Sequence, residues 1–122
     1  MNTTMAHYED LEINQGSDVT ILFELVNQDG SKKDLTGHSV AAKMKRNYNS
    51  DSDDTVTFGA TVLVPAEDGI ISLTLTNEET DALKGRAKYV YDVEISFNDS
   101  DGNTIIERVA EGKIFVSPSA TR

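Results

Sequence analysis

Apolar and polar side chains alternate along most of the chain, which predicts extended strands with two chemically different faces. In "VTILFELV", Val19, Ile21 and Phe23 fall on one face, with Thr20 and Glu24 on the other. This segment is therefore predicted to be a buried strand. The same period of two recurs in the segments 40–45, 56–64, 70–76, 88–98 and 103–116, and a shorter strand is expected at 8–13.

Turn signals separate these segments. The sequences "NQDG" at 27–30 and "DSDG" at 99–102 are typical of hairpin turns, because Asp and Gly accept positive φ. Gly112 lies inside the last alternating segment, where a glycine favours a bulge or a kink. About seven or eight short strands with turns every 8–12 residues are the pattern of an antiparallel sandwich.

The stretch "LTNEETDALKGRAKYVYD" interrupts the alternation and predicts one short helical crossover at about 77–85. Asn77 is the expected N-cap, because its side-chain oxygen can accept from the free N–H groups of the first turn. Glu78 and Glu79 follow where the helix dipole favours negative charge. Gly85 is expected to end the helix in the left-handed conformation.

Two tyrosines follow this crossover in an order typical of an immunoglobulin-type sandwich. In that fold a short helical turn crosses between the sheets, and a tyrosine early in the next strand hydrogen-bonds back to the connection. Tyr89 and Tyr91 both fit, and the spacing favours Tyr91, which stands two residues before Val93, where an antibody domain has its second cysteine. The predicted fold class is all-β, an immunoglobulin-like antiparallel β-sandwich of seven to eight strands with the helical crossover.

Length and composition narrow the possible functions. The 122 residues suit one domain, and we expect a single sandwich over 1–122 with flexible ends at 1–7 and 117–122. The chain has no cysteine, which excludes disulfides and thiol catalysis. Acidic residues outnumber basic ones 21 to 11, giving a net charge of −10. Because phosphate binding depends on lysine and arginine, this balance argues against nucleic acid or an anionic membrane as a partner.

Side chains that could carry catalysis are few. His7 falls in the predicted tail, and His38 is expected at the surface. Asp92 and Glu94 lie on the outward side of one strand, where carboxylates are solvated rather than catalytic. The chain has no serine-hydrolase, zinc-protease or phosphate-loop motif. The sequence therefore predicts no enzymatic activity and no cofactor.

Two acidic runs carry oxygen ligands of the kind that calcium prefers. The candidate ligands are Asn49, Asp51, Asp53 and Asp54 in the loop 47–55, and Asp99 and Asp101 in the second hairpin turn. Neither run has the spacing of an EF-hand. An acidic loop and a turn rich in Asp and Asn are the favoured interpretations, and no metal site is predicted.

Five short sequences occur in a characteristic order. "DLTG" at 34–37 leads into "VAAKMKR", "GIISLTLTNEET" precedes "YVYDVEI", and "EGKIFVSP" follows a "DG" turn. This order resembles small tailed-phage virion proteins, and the immunoglobulin-like N-terminal domain of phage baseplate upper proteins. The resemblance covers about 16–122, nearly the whole chain. The acidic loop 47–55 departs from that pattern, as an insertion would.

The resemblance implies a non-enzymatic structural component of a phage virion, in the tail, the baseplate or a fibre attachment, that works by protein–protein assembly. The implied partners are other virion proteins and further copies of the chain, and the implied location is the virion, assembled in the host cytoplasm. The alternative hypothesis is an adhesion module that binds carbohydrate or calcium, since sandwiches host both kinds of function.

Overall fold

The computed structural model of the chain describes residues 7–47 and 55–120. Within these ranges no helix is long and apolar enough to cross a membrane. The strands are β1 His7–Tyr8, β2 Leu11–Asn14, β3 Val19–Glu24, β4 Ser39–Lys45, β5 Thr55–Thr57, β6 Gly59–Val62, β7 Ile70–Leu75, β8 Lys88–Asn98 and β9 Thr104–Ser117. A 3-10 turn occupies Ala66–Asp68, and helix α1 occupies Asn77–Asp81.

The strands form two sheets packed face to face. The large sheet has the order β1-β9-β8-β4-β5, with β2 also paired to β9, and the small sheet has the order β3-β7-β6. Strands β1 and β2 run parallel to β9, and all the other named pairs are antiparallel. The prediction of an all-β sandwich is therefore confirmed, with a parallel pairing at one edge that the alternation alone does not reveal.

The core lies between the sheets and is built from the inward positions of the alternating segments. On β7, Ile71, Leu73 and Leu75 are buried as predicted, and Val93 and Ile95 face them from β8. Burying one such side chain stabilises the fold by about 1.5–3 kcal/mol. The alternation therefore identifies these core positions of β7 and β8 correctly.

The segment 56–64 does not stay in one sheet, and its prediction as one strand is wrong. Strand β5 pairs with β4 in the large sheet, whereas β6 pairs with β7 in the small sheet. Buried Phe58 stands between them, at the point where the chain crosses. Val64, predicted to face inward, is 92% exposed. The period of two continues through the crossing, so the pattern cannot reveal the change of sheet.

The irregularity predicted at Gly112 lies elsewhere on β9. Val93 pairs with Ala110 and Glu94 with Arg108, so the extra residue of the bulge is Val109. Gly112 serves another purpose, because a Cβ atom there would overlap the carbonyl oxygen of Glu9. The glycine is needed for the close approach of the N-terminal segment to β9.

The predicted flexible ends are also corrected at their inner limits. His7 belongs to β1 and pairs with Ala110, and Ser117 is the last residue of β9 and pairs with Asn14. The Ser119 amide also lies 3.3 Å from the Oε1 atom of Gln15. The sandwich therefore extends into both segments that composition assigned to the ends.

Candidate docking surfaces

The helical crossover is present, but Asn77 is not its N-cap. The cap is Thr76, whose hydroxyl accepts from the amide of Glu79 at 3.2 Å, while the Glu79 carboxylate accepts from the Thr76 amide at 2.8 Å. Asn77 is the first helical residue, and its amide donates to the Asp18 carboxylate at 2.7 Å. This reciprocal capping box satisfies two N–H groups that the helix leaves unpaired.

Gly85 does not end the helix. Helix α1 ends at Asp81 with Ala82 as the right-handed C-cap, and the left-handed residue of this connection is Arg86, with φ 63°. A Cβ atom on Gly85 would lie 3.1 Å from the Cβ atom of Pro118. Gly85 therefore serves close packing against the C-terminal segment rather than a turn in the backbone.

The hydrogen bond back to the connection, predicted for Tyr91, is made by Tyr89, and Tyr91 has a different partner. The hydroxyl of Tyr89 accepts from the Lys84 amide at 3.1 Å, so Tyr89 makes the bond back to the connection. The hydroxyl of Tyr91 instead donates to the Glu9 carbonyl oxygen at 2.6 Å. Burial raises the pKa of the Tyr91 hydroxyl, and the nearby carboxylates of Glu9 and Asp10 raise it further.

The acidic candidates have no common site in the described residues. Asn49, Asp51, Asp53 and Asp54 lie outside the described ranges. Asp99 forms the hairpin turn, since its Oδ1 atom accepts from the amides of Asp101 and Asn103, each at 2.9 Å. No group of three or more His, Cys, Asp or Glu side chains in 7–47 and 55–120 is placed to hold a metal ion.

Both histidines contact other elements of the fold. The Nε2 atom of His7 lies 3.1 Å from the Glu24 carbonyl oxygen, and its ring centroid lies 6.2 Å from that of Phe23. The ring of His38 lies 4.7 Å from that of Phe97, and its Nδ1 atom is 3.1 Å from the Thr36 carbonyl oxygen. These contacts join neighbouring elements of the fold.

The outward side of the large sheet carries charges of both signs together with exposed apolar side chains. We call it the large-sheet face and define it by Lys43, Lys45, Asp92, Glu94, Arg108 and Lys113 with Tyr8, Ile106 and Phe115. A depression between β4 and β8 is lined by Lys43, Lys45, Val90 and Asp92. The face is therefore an extended surface with shallow relief.

A charge cluster holds the centre of the large-sheet face. Asp92 and Glu111 stand directly opposite each other on β8 and β9, an arrangement that destabilises a strand pair. Arg108 relieves this repulsion, since its guanidinium lies 3.5 Å from Asp92 and 3.6 Å from Glu111. Because all three side chains are partly exposed, solvent screens these contacts.

Three apolar side chains stand out on the same face. Tyr8 is 67% exposed, Ile106 is 61% exposed and Phe115 is 38% exposed. Ile106 and Phe115 occupy β9 positions where the alternation calls for polar residues, beside inward-facing Ile105 and Ile114. This departure from the alternation is the sequence signal that marks the face.

The outward side of the small sheet has a different character. We call it the small-sheet face and define it by Thr20, Leu22, Glu24, Gly59, Thr61, Ile70, Ser72 and Thr74. Glu24 is the one charged residue of this set, although 26% of the whole chain is charged. Leu22, on β3, is 58% exposed. The small-sheet face is therefore polar but nearly uncharged, with one exposed leucine.

Comparisons with known proteins bear on the fold. No protein-family model and no curated protein matches the chain. Among solved structures, murine CRIg is similar with a TM-score of 0.51, at 17% sequence identity, over 95% of this chain and 96% of that chain. The likeness supports the predicted immunoglobulin-like sandwich, and at this identity it establishes the fold alone.

A second solved structure is more distant. AggA, the major subunit of aggregative adherence fimbriae type I from Escherichia coli, has a TM-score of 0.40 and 8% identity, over 98% of this chain and 93% of that chain. At this TM-score the likeness does not establish a common fold or a common function.

Proposed function

We propose that the chain is a non-enzymatic structural component of a phage virion that works by protein–protein assembly through the large-sheet face. The observation that carries the proposal is the placement of Tyr8, Ile106 and Phe115 on an extended surface among charges of both signs. Protein–protein interfaces are enriched in aromatic and apolar side chains surrounded by polar ones.

The shape of the large-sheet face favours a protein partner over a small molecule. Small-molecule sites are concave and surround most of the ligand. Here the apolar side chains stand on neighbouring strands, with Phe115 beside Glu12 of β2 and Lys88 of β8. Such a surface can bury its apolar residues only against another broad surface, and the surrounding charges would then select the orientation of the partner.

The phage context is supported by the sequence resemblance. The order of "DLTG", "GIISLTLTNEET", "YVYDVEI" and "EGKIFVSP" resembles that of tailed-phage virion proteins over nearly the whole chain. An immunoglobulin-like sandwich hosts many functions, so the fold does not select this one. The tail, the baseplate and a fibre attachment are the proposed locations.

The proposal is tested by incorporation into particles. An epitope-tagged copy, produced in cells that carry the gene, is expected in purified virions by immunogold electron microscopy and by mass spectrometry. Ile106→Lys should reduce incorporation at least tenfold with the melting temperature retained, because its side chain is 61% exposed and stands opposite Ser96 on β8. Thr61→Lys on the small-sheet face is the matched control. Virions without the tagged wild-type chain would refute the proposal.

A further inference from the structure

We infer that β3 is a dimerisation edge, at which β3 of one copy pairs antiparallel with β3 of a second copy. The two small sheets would then form one continuous sheet of six strands with the order β6-β7-β3-β3-β7-β6. The inference rests on the proposed assembly function and gives it one partner, a second copy of the chain, and one surface.

The outer edge of β3 is open among the described residues. Strand β3 pairs with β7 and stands at the end of the small sheet. The Leu25 amide donates to the Gly69 carbonyl at 2.8 Å. This bond shows that the backbone groups of the odd-numbered residues of β3 point toward β7. By the alternation of an antiparallel ladder, the N–H and C=O groups of Thr20, Leu22 and Glu24 point to the open side. The Nε2 atom of His7 lies 3.1 Å from the Glu24 carbonyl oxygen, in agreement with this direction. Among the described residues the edge is therefore open at Thr20 and Leu22, and pairing at Glu24 requires the His7 ring to leave that oxygen.

Strand β3 differs from the other edge strands in length and in protection. The others are shorter: β1 has 2 residues, β2 has 4, β5 has 3 and β6 has 4, whereas β3 has 6 in unbroken register with β7. Exposed edges are usually blunted by lysine, proline, a bulge or an inward-pointing charge. The sequence "VTILFE" contains no lysine, no proline and no inward-pointing charge, and its one charged side chain, Glu24, stands at the end of the strand. A long edge with so little protection is suited to pairing with another strand.

The inward side chains of β3 are also less covered than those of its partner. Val19 and Ile21 are half-buried, whereas the β7 residues opposite them, Leu75 and Leu73, are fully buried. Among residues 7–47 and 55–120, β3 has a neighbouring strand in its own sheet on one side only. A strand added at this edge would complete the cover over these apolar side chains.

The side chains of β3 are complementary to themselves, which favours a second copy as the partner. With Leu22 placed opposite Leu22 of the second copy, Thr20 faces the second copy's Glu24 on both sides of the two-fold axis. Two exposed leucines meet at the centre, and no like charges stand opposite each other. The Asp18 carboxylate, just outside β3, is already bound to the Asn77 amide and side chain. In a chain with a net charge of −10, this nearly uncharged face is where two copies can approach.

The first test is the oligomeric state and hydrogen exchange of the purified chain over micromolar to millimolar concentrations. Sedimentation equilibrium should show a monomer–dimer transition. In the dimer, the amides of Thr20, Leu22 and Glu24 should gain protection, while Val19, Ile21 and Phe23 should be protected in both states because they point toward β7. A monomer over the whole range, or a dimer without this alternating gain, would overturn the inference.

The second test uses lysine substitutions at exposed positions. Leu22→Lys places two lysines opposite each other and should weaken dimerisation at least about tenfold. Thr20→Lys places lysine opposite glutamate and should leave dimerisation unchanged or tighten it. Thr61→Lys, at the far edge of the same face, makes the same change of charge and should have no effect. An equal change in all three variants would show an effect that does not depend on position and would contradict edge pairing.

The dimer and the phage function can be refuted independently of each other. A chain that is present in virions but monomeric in solution would refute the dimer and leave the assembly function standing. A chain that dimerises through β3 but is absent from virions would refute the phage function and leave the edge pairing intact.

Discussion

Tyr91 is the residue that ties the N-terminal segment to the core. Its side chain is 1% exposed, its ring centroid lies 6.5 Å from that of Phe23, and its hydroxyl reaches the Glu9 carbonyl between β1 and β2. The N-terminal strands are therefore held by the buried Tyr91 hydroxyl as well as by their backbone pairing with β9.

Tyr91→Phe should destabilise the protein by about 1–2 kcal/mol near neutral pH, because the Glu9 carbonyl loses its donor. The raised pKa of Tyr91 means that the folded state holds its proton more tightly than the unfolded state. The stability from this group is thus fully present below the ordinary tyrosine pKa of about 10 and is lost as the pH rises above it. Tyr91→Phe should flatten this alkaline loss.

Urea unfolding between pH 7 and pH 11 measures both effects of Tyr91→Phe. Tyr8→Phe, at an exposed position, controls for the loss of a hydroxyl. An alkaline loss of stability that is as steep in Tyr91→Phe as in the wild type would contradict the assignment.

Gly112→Ala should cost about 1–3 kcal/mol or more, because the added methyl group overlaps the Glu9 carbonyl and lies 3.1 Å from the Tyr91 ring. Thermal unfolding measures the loss of stability. Hydrogen exchange should also show faster exchange of the amides of β1. Gly59→Ala is the matched control, since the atom nearest to its added methyl group belongs to the Thr74 side chain, which can turn aside. Equal losses in both variants would contradict the role given to Gly112.

At the scale of elements, the helical crossover shows what local sequence decides and what it does not. A helix could be predicted because acidic residues and a capping residue begin it. The first residue of the helix could not be predicted, because Thr76 and Asn77 are both good capping residues. The choice depends on Asp18, 59 residues away, which takes the Asn77 amide and leaves Thr76 as the cap.

Thr76→Ala should destabilise the protein by about 1 kcal/mol, because the Glu79 amide loses its acceptor. The comparison is Asn77→Ala, which keeps the backbone bond to Asp18 and removes only a side-chain contact at 3.1 Å. Chemical denaturation of both variants gives the difference. A larger loss for Asn77→Ala would restore Asn77 as the principal capping residue.

The tyrosines and the exposed edge show the same limit to prediction. The order of helix, glycine and tyrosines identified the crossing between the sheets, but both tyrosines fit it. Tyr91 takes another partner because β1 and β2 lie against β9 in parallel, which no local pattern encodes. Leu22 likewise belongs to a segment that is predicted to be a buried strand, but it lies on the outward side of β3 with Thr20 and Glu24 and is 58% exposed.

At the scale of the whole molecule, the net charge of −10 acts against the compact state. Few described ion pairs offset it, and the pairs around Arg108 are partly exposed. The folded chain is therefore expected to gain stability when its own charges are screened.

Raising the ionic strength from about 10 mM to about 0.1 M shortens the Debye length from about 30 Å to about 10 Å. The melting temperature should rise by a few degrees, because repulsion among the acidic side chains weakens more than the local ion pairs do. Differential scanning calorimetry measures this, and choline chloride in place of sodium chloride controls for binding of a specific cation. A fall in the melting temperature would show that attractive ion pairs dominate.

The pairing of β2 with β9 also sets an order of events during translation. Asp10 and Lys113, which meet at this edge, are 103 residues apart in the chain. At roughly 5–20 residues per second, the ribosome takes about 5–20 s between the two. Through that interval the nascent strand β2 has no partner strand, with Leu11 and Ile13 uncovered. The large sheet can close only once β9 has left the exit tunnel.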